Sequence, residues 1–506
     1  MSTPAARQAE SDAAVIDVGS NSVRLVLYRV EGRALWTVFN EKVLAGLGRD
    51  LSVTGRLAPD GVQLAMAALR RFSALLEHIP EARIFSAATA AVREADDGPA
   101  FVARVEQETG IRLRVLSGAE EAKYAALGVL AGAPASSGVV GDLGGASLEL
   151  TKLGDKGPGK GVTLPLGPFA LGELDETSPD KLRKTIRSII SPVAKDFRAD
   201  TLTAVGGAWR NLALLQMEIA HYPLHIVHQY EMTRREALDA AQFVARQSRG
   251  SLERMEGLSK KRVETLPHAA AVLEVLIDEL RLEKVVLSAF GLREGLIYEA
   301  MSAAERARDP LVEGCVALGA RQGVVQDIGA AVEAWLAPVF AALPAQFGKR
   351  DAILLAAASR LADLGARLHP DHRADLVFDQ VLRAPISGMT HEERYFLAAA
   401  LFARHTGSAT MREPDLAARL LSKDRQTRAR ALGSAIRLAC DLSGRSPDLL
   451  ARSRISVRGD TLTLEAEPDW ADMLLGEQTA KRAQTLAGVL GKDLKMRTRA
   501  FAGSRA

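Results

Sequence analysis

Cysteine is nearly missing from this chain. Its two residues, Cys315 and Cys440, stand far apart and without the spacing of a metal-ligand set. That excludes a disulfide framework and points to a reducing compartment, the cytoplasm. A long apolar run is missing too. The longest uncharged stretch, about 124–141, is broken by Gly132, Pro134, Ser136 and Ser137, so it reads as helix end, loop and strand and not as a membrane span. The opening M-S-T-P-A-A-R-Q-A-E-S-D has no apolar centre of the kind a secretion signal needs. Net charge is small, +3, but unevenly placed. Residues 401–506 hold 19 Lys and Arg against 12 Asp and Glu, while the rest of the chain holds 46 against 50. A basic end can attract a polyanion, although a solvated basic face is its ordinary explanation.

What is present belongs to a globular protein of several domains: 506 residues, 47% hydrophobic and 25% charged. Two glycine segments carry most of the information. V-I-D-V-G-S-N-S (15–22) and V-V-G-D-L-G-G-A-S (139–147) each end an apolar run at an aspartate followed by a tight turn. Glycines let the backbone approach an anion, and the neighbouring hydroxyls and amides can donate to phosphate oxygens. Two such loops, each opening its own α/β lobe, predict a cleft that grips phosphate from both sides.

Periodicity supports the two lobes. Strands are expected at 22–30, 36–43, 83–88 and 111–116, with helices at 59–79 and 99–109 and another from about 118. The 59–79 helix is expected to bury a stripe through Leu64, Ala68, Leu75 and Ile79. The second lobe repeats this syntax with strands at 138–143, 147–153, 161–164 and 201–205, a turn at Gly206-Gly207, and helices at 179–196 and 208–216. Its end, 284–297, reads as strand, turn, helix. Strand signal then vanishes until R-I-S-V-R and T-L-T-L-E-A, a hairpin around Gly459-Asp460 followed by a helix at about 476–490. The division is therefore lobe I 1–135, lobe II 136–305, a helical domain 310–450 and a small α+β appendage 451–506.

Catalytic chemistry is expected in L-S-G-A-E-E-A (116–122). Ser117 and Glu120 have capping-box spacing, which gives Glu120 a structural task. Glu121 lies about 100° further round the helix, where its carboxylate can face the cleft and deprotonate a water attacking phosphorus. Asp142, Glu149 and Asp17 are hard carboxylates beside the loops and suit Mg²⁺, which takes few protein oxygens. Arg24, Arg93, Arg262 and Arg293 are the cationic candidates for phosphate.

These residues, taken together, resemble a known family. D-V-G-S-N-S-V-R-L (17–25), A-T-A-A-V-R-E-A (88–95), S-G-A-E-E-A (117–122), G-D-L-G-G-A-S-L-E-L (141–150), L-P-L-G (164–167), V-G-G-A-W-R-N-L-A (205–213) and S-A-F-G-L-R-E-G-L (288–296) look like the exopolyphosphatase and guanosine pentaphosphate phosphatase family, in family order. The resemblance implies an α/β fold of two actin-like, ribonuclease-H-like lobes around a cleft. It implies hydrolysis of the terminal phosphate of inorganic polyphosphate, with guanosine pentaphosphate as the alternative substrate or a second one. Guanosine tetraphosphate would be the product of that second reaction. Mg²⁺ is the implied cofactor, a monovalent cation such as K⁺ has a place beside it, and a homodimer is the implied assembly. Neither a membrane nor a specific nucleic acid is expected as partner.

Residue by residue, the resemblance makes Glu121 the base and Asp142 and Glu149 the acids around phosphate and metal. It makes Gly19, Ser20, Asn21, Ser22, Gly144, Gly145, Ala146, Ser147, Gly206 and Gly207 the phosphate loops. Arg93 matches a phosphate-contacting arginine, and Arg24 and Arg262 match arginines that meet substrate phosphates or nucleotide. Ala146 stands where a third glycine is usual, Ala208 where a threonine is, and Asp97 where an asparagine is, which would add negative charge near a polyanion. The helical domain resembles a degenerate HD-type module. In R-L-A-D-L-G (360–365) Ala362 precedes Asp363, so the His-Asp pair of a metal-dependent hydrolase is missing although His369, His372, His391 and His405 remain. A sensor that binds phosphate without turnover would have no use for Glu121, and no sugar-kinase site is recognisable.

Overall fold

Along β1 (Glu10–Val18) alternate side chains of the uncharged stretch Ala13–Ile16 enter two different cores, which is why it forms the central strand. Ala14 and Ile16 pack with Leu69 and Phe72 of α1 (Pro59–Leu76) and with Phe101 and Val105 of α3 (Gly98–Thr109). Ala13 and Val15 pack on the other side with Tyr124 and Leu127 of α4 (Gly118–Gly132) and Leu292 and Leu296 of α9 (Leu292–Ala300). The computed structural model describes residues 10–154, 157–171, 179–255, 260–324, 326–407 and 410–501. It falls into two compact units, one ending at Ala307 and one beginning at Arg308.

The first unit holds two sheets of matching topology. The first has the order β3 (Ala34–Val43), β2 (Val23–Glu31), β1, β4 (Arg83–Ala88), β5 (Arg114–Val115). The second has the order β10 (Glu231–Thr233), β11 (Lys284–Leu287), β9 (Thr201–Val205), β6 (Gly138–Leu143), β7 (Leu148–Gly154), β8 (Gly157–Leu164). In each, the leading strand lies antiparallel to the next and parallel to a later one: β1 with β2 and β4, β6 with β7 and β9. Helices α5 (Pro179–Phe197), α6 (Gly207–Ile219), α7 (Arg234–Arg246) and α8 (Leu266–Glu279) belong to the second half, and the five-residue α2 (Ala90–Glu94) to the first. The result is the two-lobed actin-like architecture.

The lobes are not contiguous in the chain. Although α9 follows the last strand of lobe II, it packs on lobe I against α4. The contact is unusually close. A β-carbon on Gly295 would lie 1.9 Å from the Tyr124 carbonyl, and one on Gly128 would lie 1.9 Å from the Gly291 carbonyl. Only glycine fits at either point, so two backbones meet directly at the seam between lobes.

Some local expectations shift. The buried face of α1 runs through Ala65, Ala68, Leu69, Phe72 and Leu76, with Leu75 and Ile79 packed against the same core, and Leu64 is 48% exposed. Turning about 100° per residue, the stripe centred on Leu69 and Phe72 leaves Leu64 outside it. The strand expected over 111–116 shrinks to Arg114–Val115, because Ile111 and Leu113 pack into the core under α1 and α3 without joining the ladder.

The second unit carries α10 (Pro310–Arg321), α11 (Gln326–Ala341), α12 (Arg350–Arg360), α13 (Arg373–Arg383), α14 (His391–His405), α15 (Pro414–Leu420) and α16 (Lys423–Ser443). The hairpin β12 (Ser453–Arg458) and β13 (Thr461–Ala466) forms as expected, and β14 (Asp493–Thr498) adds to it in parallel. That parallel pairing needs a crossover, which α17 (Glu477–Leu490) supplies. This sheet is not detached: Trp335 Nε1 on α11 donates to Ser453 Oγ at 3.0 Å, and α17 packs on α16. Where an HD pair would stand, Arg445 Nε holds Asp363 at 2.5 Å, Arg404 Nε donates to the Ala362 carbonyl at 3.0 Å, and His405 Nε2 donates to the Leu364 carbonyl at 2.9 Å. Two guanidiniums fill the position with positive charge.

Candidate active site

The two aspartate–glycine segments fold alike down to single hydrogen bonds. Gly19 N–H donates to the Ser22 carbonyl and Gly144 N–H to the Ser147 carbonyl, both at 2.9 Å. Strand pairing then sets Asp17 opposite Arg24 in lobe I and Asp142 opposite Glu149 in lobe II. The loops face each other at close range: a β-carbon on Gly145 would lie 3.2 Å from Ser20 Cβ and from the Phe169 ring. A third turn, Gly206-Gly207 between β9 and α6, closes the floor. Gly206 has φ +115° and no room for a side chain, since a β-carbon would meet the Leu143 carbonyl at 2.5 Å.

A cleft of about 220 Å³ lies between these turns. Asp17, Gly19, Ser20, Asn21, Ser22 and Arg24 line it from lobe I. Asp142, Gly144, Gly145, Ala146, Ser147, Glu149, Gly206 and Gly207 line it from lobe II, and Glu121 reaches in from α4. Two expected residues stand elsewhere. Arg93 is not on the wall; its Nη1 donates to Glu121 Oε2 at 3.0 Å and to the Leu116 carbonyl at 2.9 Å, so it stands behind Glu121. Arg262 falls in the short 3-10 helix Lys260–Thr265, and its side chain lies outside those described. Asp97 is absent from the cleft wall as well. It precedes α3, accepts from Leu57 N–H at 3.0 Å and pairs with Arg56 at 3.5 Å, a local anchor on lobe I.

The wall also includes Lys42, Thr89, Arg210, Thr265, His268 and Arg293. Of these, sequence reasoning had singled out Arg293 alone. Arg210 and Arg293 share a signal that could have found both: each sits in the first turn of a helix that follows a strand and a glycine. Lys42 is visible only through strand pairing, which sets it beside Arg24 on the next strand. His268 donates through Nε2 to the Leu166 carbonyl at 2.9 Å, and the following Gly167 N–H donates to the Ala146 carbonyl at 3.1 Å. The histidine thereby braces the second loop from behind.

Charge is sorted across the cleft. The capping box forms as expected, with Ser117 N–H donating to Glu120 Oε2 at 2.9 Å, and this points the next residue, Glu121, inward. Burial pushes the Glu121 carboxyl up to about 7; the Arg93 hydrogen bond opposes the rise, and Asp142 and Asp17 add to it. Asp142 is pushed up to about 6, chiefly by burial. Glu149 is raised as well, by burial and then by Glu121. Its Oε1 is buried with no hydrogen-bond partner, and the Asp142 carboxylate has no ion pair among the described residues. On the other side, Arg24 Nε donates to Asn40 Oδ1 at 2.8 Å, and its guanidinium is lowered by burial and by neighbouring Arg293. Arg293 Nη1 donates to Asp17 Oδ2 at 2.8 Å. Glu294 and Asp17 hold Arg293 above its usual value although burial opposes its charge.

Glycine loops, a buried carboxylate and opposed charges thus meet in one cleft. Residues 26–304 match the Ppx/GppA phosphatase family, and residues 326–497 match the exopolyphosphatase C-terminal domain. This chain belongs to the Ppx/GppA phosphatase family. Solved structures agree in fold. The Ppx/GppA family member from Aquifex aeolicus is 22% identical, with 58% of this chain and 98% of that one covered at a TM-score of 0.51. An exopolyphosphatase from Cytophaga hutchinsonii is 19% identical, covering 57% and 97%, at a TM-score of 0.53. Among the described residues, no helix of this Ppx/GppA chain is long and apolar enough to cross a membrane.

Proposed function

We propose that this protein is an exopolyphosphatase that removes the terminal phosphate of inorganic polyphosphate, with Glu121 as general base. The observation that carries the reading is the position of Glu121: 8% exposed, raised to about 7, and set between two phosphate-type loops. A carboxylate of that basicity is ionised often enough near neutrality to take a proton, yet basic enough to pull it. In the reaction, the Glu121 carboxylate accepts a proton from water as the water oxygen bonds to the terminal phosphorus. The bridging P–O bond breaks, and the shortened chain leaves with the electron pair. Backbone N–H groups of the two loops, with Arg24 and Arg210, face the oxygens on which charge is carried. Arg93 keeps the base oriented.

Asp142 and Glu149 would hold Mg²⁺. The fit rests on the orphaned, buried Glu149 Oε1 and on two adjacent acids whose carboxyls burial pushes up, a combination that a cation relieves. Two carboxylates are enough for Mg²⁺, which keeps several waters and takes phosphate oxygens to complete its shell. When bound, Mg²⁺ neutralises charge on the phosphoryl oxygens.

The test is orthophosphate release from long-chain polyphosphate and from guanosine pentaphosphate, by wild type and Glu121→Gln. Wild type should turn over polyphosphate, and the variant should lose roughly 100-fold or more. Full activity in the variant would remove Glu121 from the mechanism. Turnover of the nucleotide alone would make this a guanosine pentaphosphate phosphohydrolase.

A further inference from the structure

The two glycine loops are equal in length, in hydrogen bonding and in strand register, yet opposite in charge. Seven residues after each aspartate the chain places Arg24 in lobe I and Glu149 in lobe II, and each lies across the ladder from its aspartate. Asp17 therefore has a cation beside it, and Asp142 has a second acid. Arg293 adds to this difference. It sits in the first turn of α9 and donates to Asp17 Oδ2 at 2.8 Å. The same guanidinium is near enough to Asp142 to favour its charged form, but makes no ion pair with it.

We propose that Arg293 is a positioning residue that makes the two loops unequal, by holding Asp17 so that a divalent cation is taken by Asp142 and Glu149 alone. The idea rests on the metal-assisted reading given above. Without Arg293 only Arg24 across the ladder would set the lobe I turn apart, and a cation could reach Asp17 as well as Asp142. The substrate would then have two opposed ways to lie. With Arg293 on Asp17, lobe I offers Arg24 and Lys42 to the anionic chain, and lobe II offers its acids to the metal. Arg293 is anchored for this task by its neighbours: Glu294 accepts from Gly291 N–H at 2.8 Å and from the Tyr28 hydroxyl, which fixes the first turn of α9 against β2.

The experiment is Mn²⁺ binding to the full chain by calorimetry without any phosphate compound, so that turnover plays no part. Wild type should bind one ion. Asp142→Asn should weaken binding by about tenfold or more, whereas Asp17→Asn should stay within about twofold of wild type. Arg293→Gln should bind a second ion, or bind the first at least about fivefold tighter, because Asp17 becomes a ligand. Arg293→Gln combined with Asp17→Asn should return to the wild-type isotherm, and Arg293→Lys should lie nearer wild type than Arg293→Gln. The proposal is overturned if Asp17→Asn weakens binding as much as Asp142→Asn, if the Arg293→Gln isotherm matches wild type, if its gain survives in the double variant, or if wild type binds no Mn²⁺. Orthophosphate release by wild type is scored separately, so polyphosphate hydrolysis can stand while this assignment falls, and the reverse.

Discussion

Glu121 and Arg93 form a buried pair in which each residue explains the other. Burial drives the Glu121 carboxyl toward neutrality, and Arg93 is the main influence keeping part of it ionised. Replacing Arg93 with Met should move the acid limb of the pH–rate profile to higher pH and lower kcat at pH 7 about tenfold or more, with KM little changed. A phosphate-contacting Arg93 would show the opposite split, a raised KM with an unmoved limb. The sign of the stability effect follows from the same shift. Glu121 titrates at about 7 in the folded protein against 4.5 for an ordinary glutamate, so between those values the folded state binds more protons than the unfolded chain. Its contribution is present below pH 4.5 and is lost as pH rises through 7, with an upper bound of about 3 kcal/mol. His405, lowered to about 4 by burial, acts with the opposite sign between 4 and 6.5. The useful measurement is therefore the difference between wild type and Glu121→Gln, in metal-free buffer. The wild-type melting temperature should fall more steeply from pH 5 to pH 8.

At the scale of elements, the seam between α4 and α9 governs how the lobes join. Gly295→Ala would drive a methyl group into the Tyr124 carbonyl, whose distance to the added carbon is 1.9 Å before relaxation. We expect a loss of about 3 kcal/mol or more, seen as a lower melting temperature, since neither backbone can yield without moving a helix. Gly488→Ala is the contrasting case. That glycine lies inside α17 with nothing within 4 Å of an added β-carbon, and the substitution should be neutral or stabilise by about 0.5–1 kcal/mol. Alternation and glycine punctuation announced most strands, and the capping box at Ser117 was legible residue by residue. Of the expected α1 stripe, Ala68 is buried and Leu75 and Ile79 pack against the core; Leu64 turns outward, which periodicity alone does not show because alanine and leucine occur all round that helix. The strand β14 is harder to read because D-L-K-M-R-T is largely exposed, with only Leu494 and Met496 half-buried, and becomes a strand by pairing with β13.

For the whole molecule, the division at Ala307 and Arg308 makes a definite forecast. The first unit contains both sheets, every described cleft residue and its own apolar cores. A chain ending at Ala307 should unfold cooperatively by circular dichroism and still release phosphate from short polyphosphate. A non-cooperative melt, or complete loss of turnover with a native spectrum, would give the second unit a part in the site.

The sequence by itself determined the kind of chemistry. Two aspartate–glycine loops and a capped helix that turns Glu121 inward are local features, written in consecutive residues and read from backbone geometry. Which residues share the cleft was decided only by tertiary structure. Arg93 is close in sequence to the other site residues, yet it stands behind Glu121. Arg293 is 276 positions from Asp17, yet it holds that carboxylate at 2.8 Å. An ion pair between distant positions depends on how α9 crosses from one lobe to pack on the other, and no local pattern encodes that crossing. The same crossing brings a cation to Asp17 and leaves Asp142 without an ion pair among the described residues.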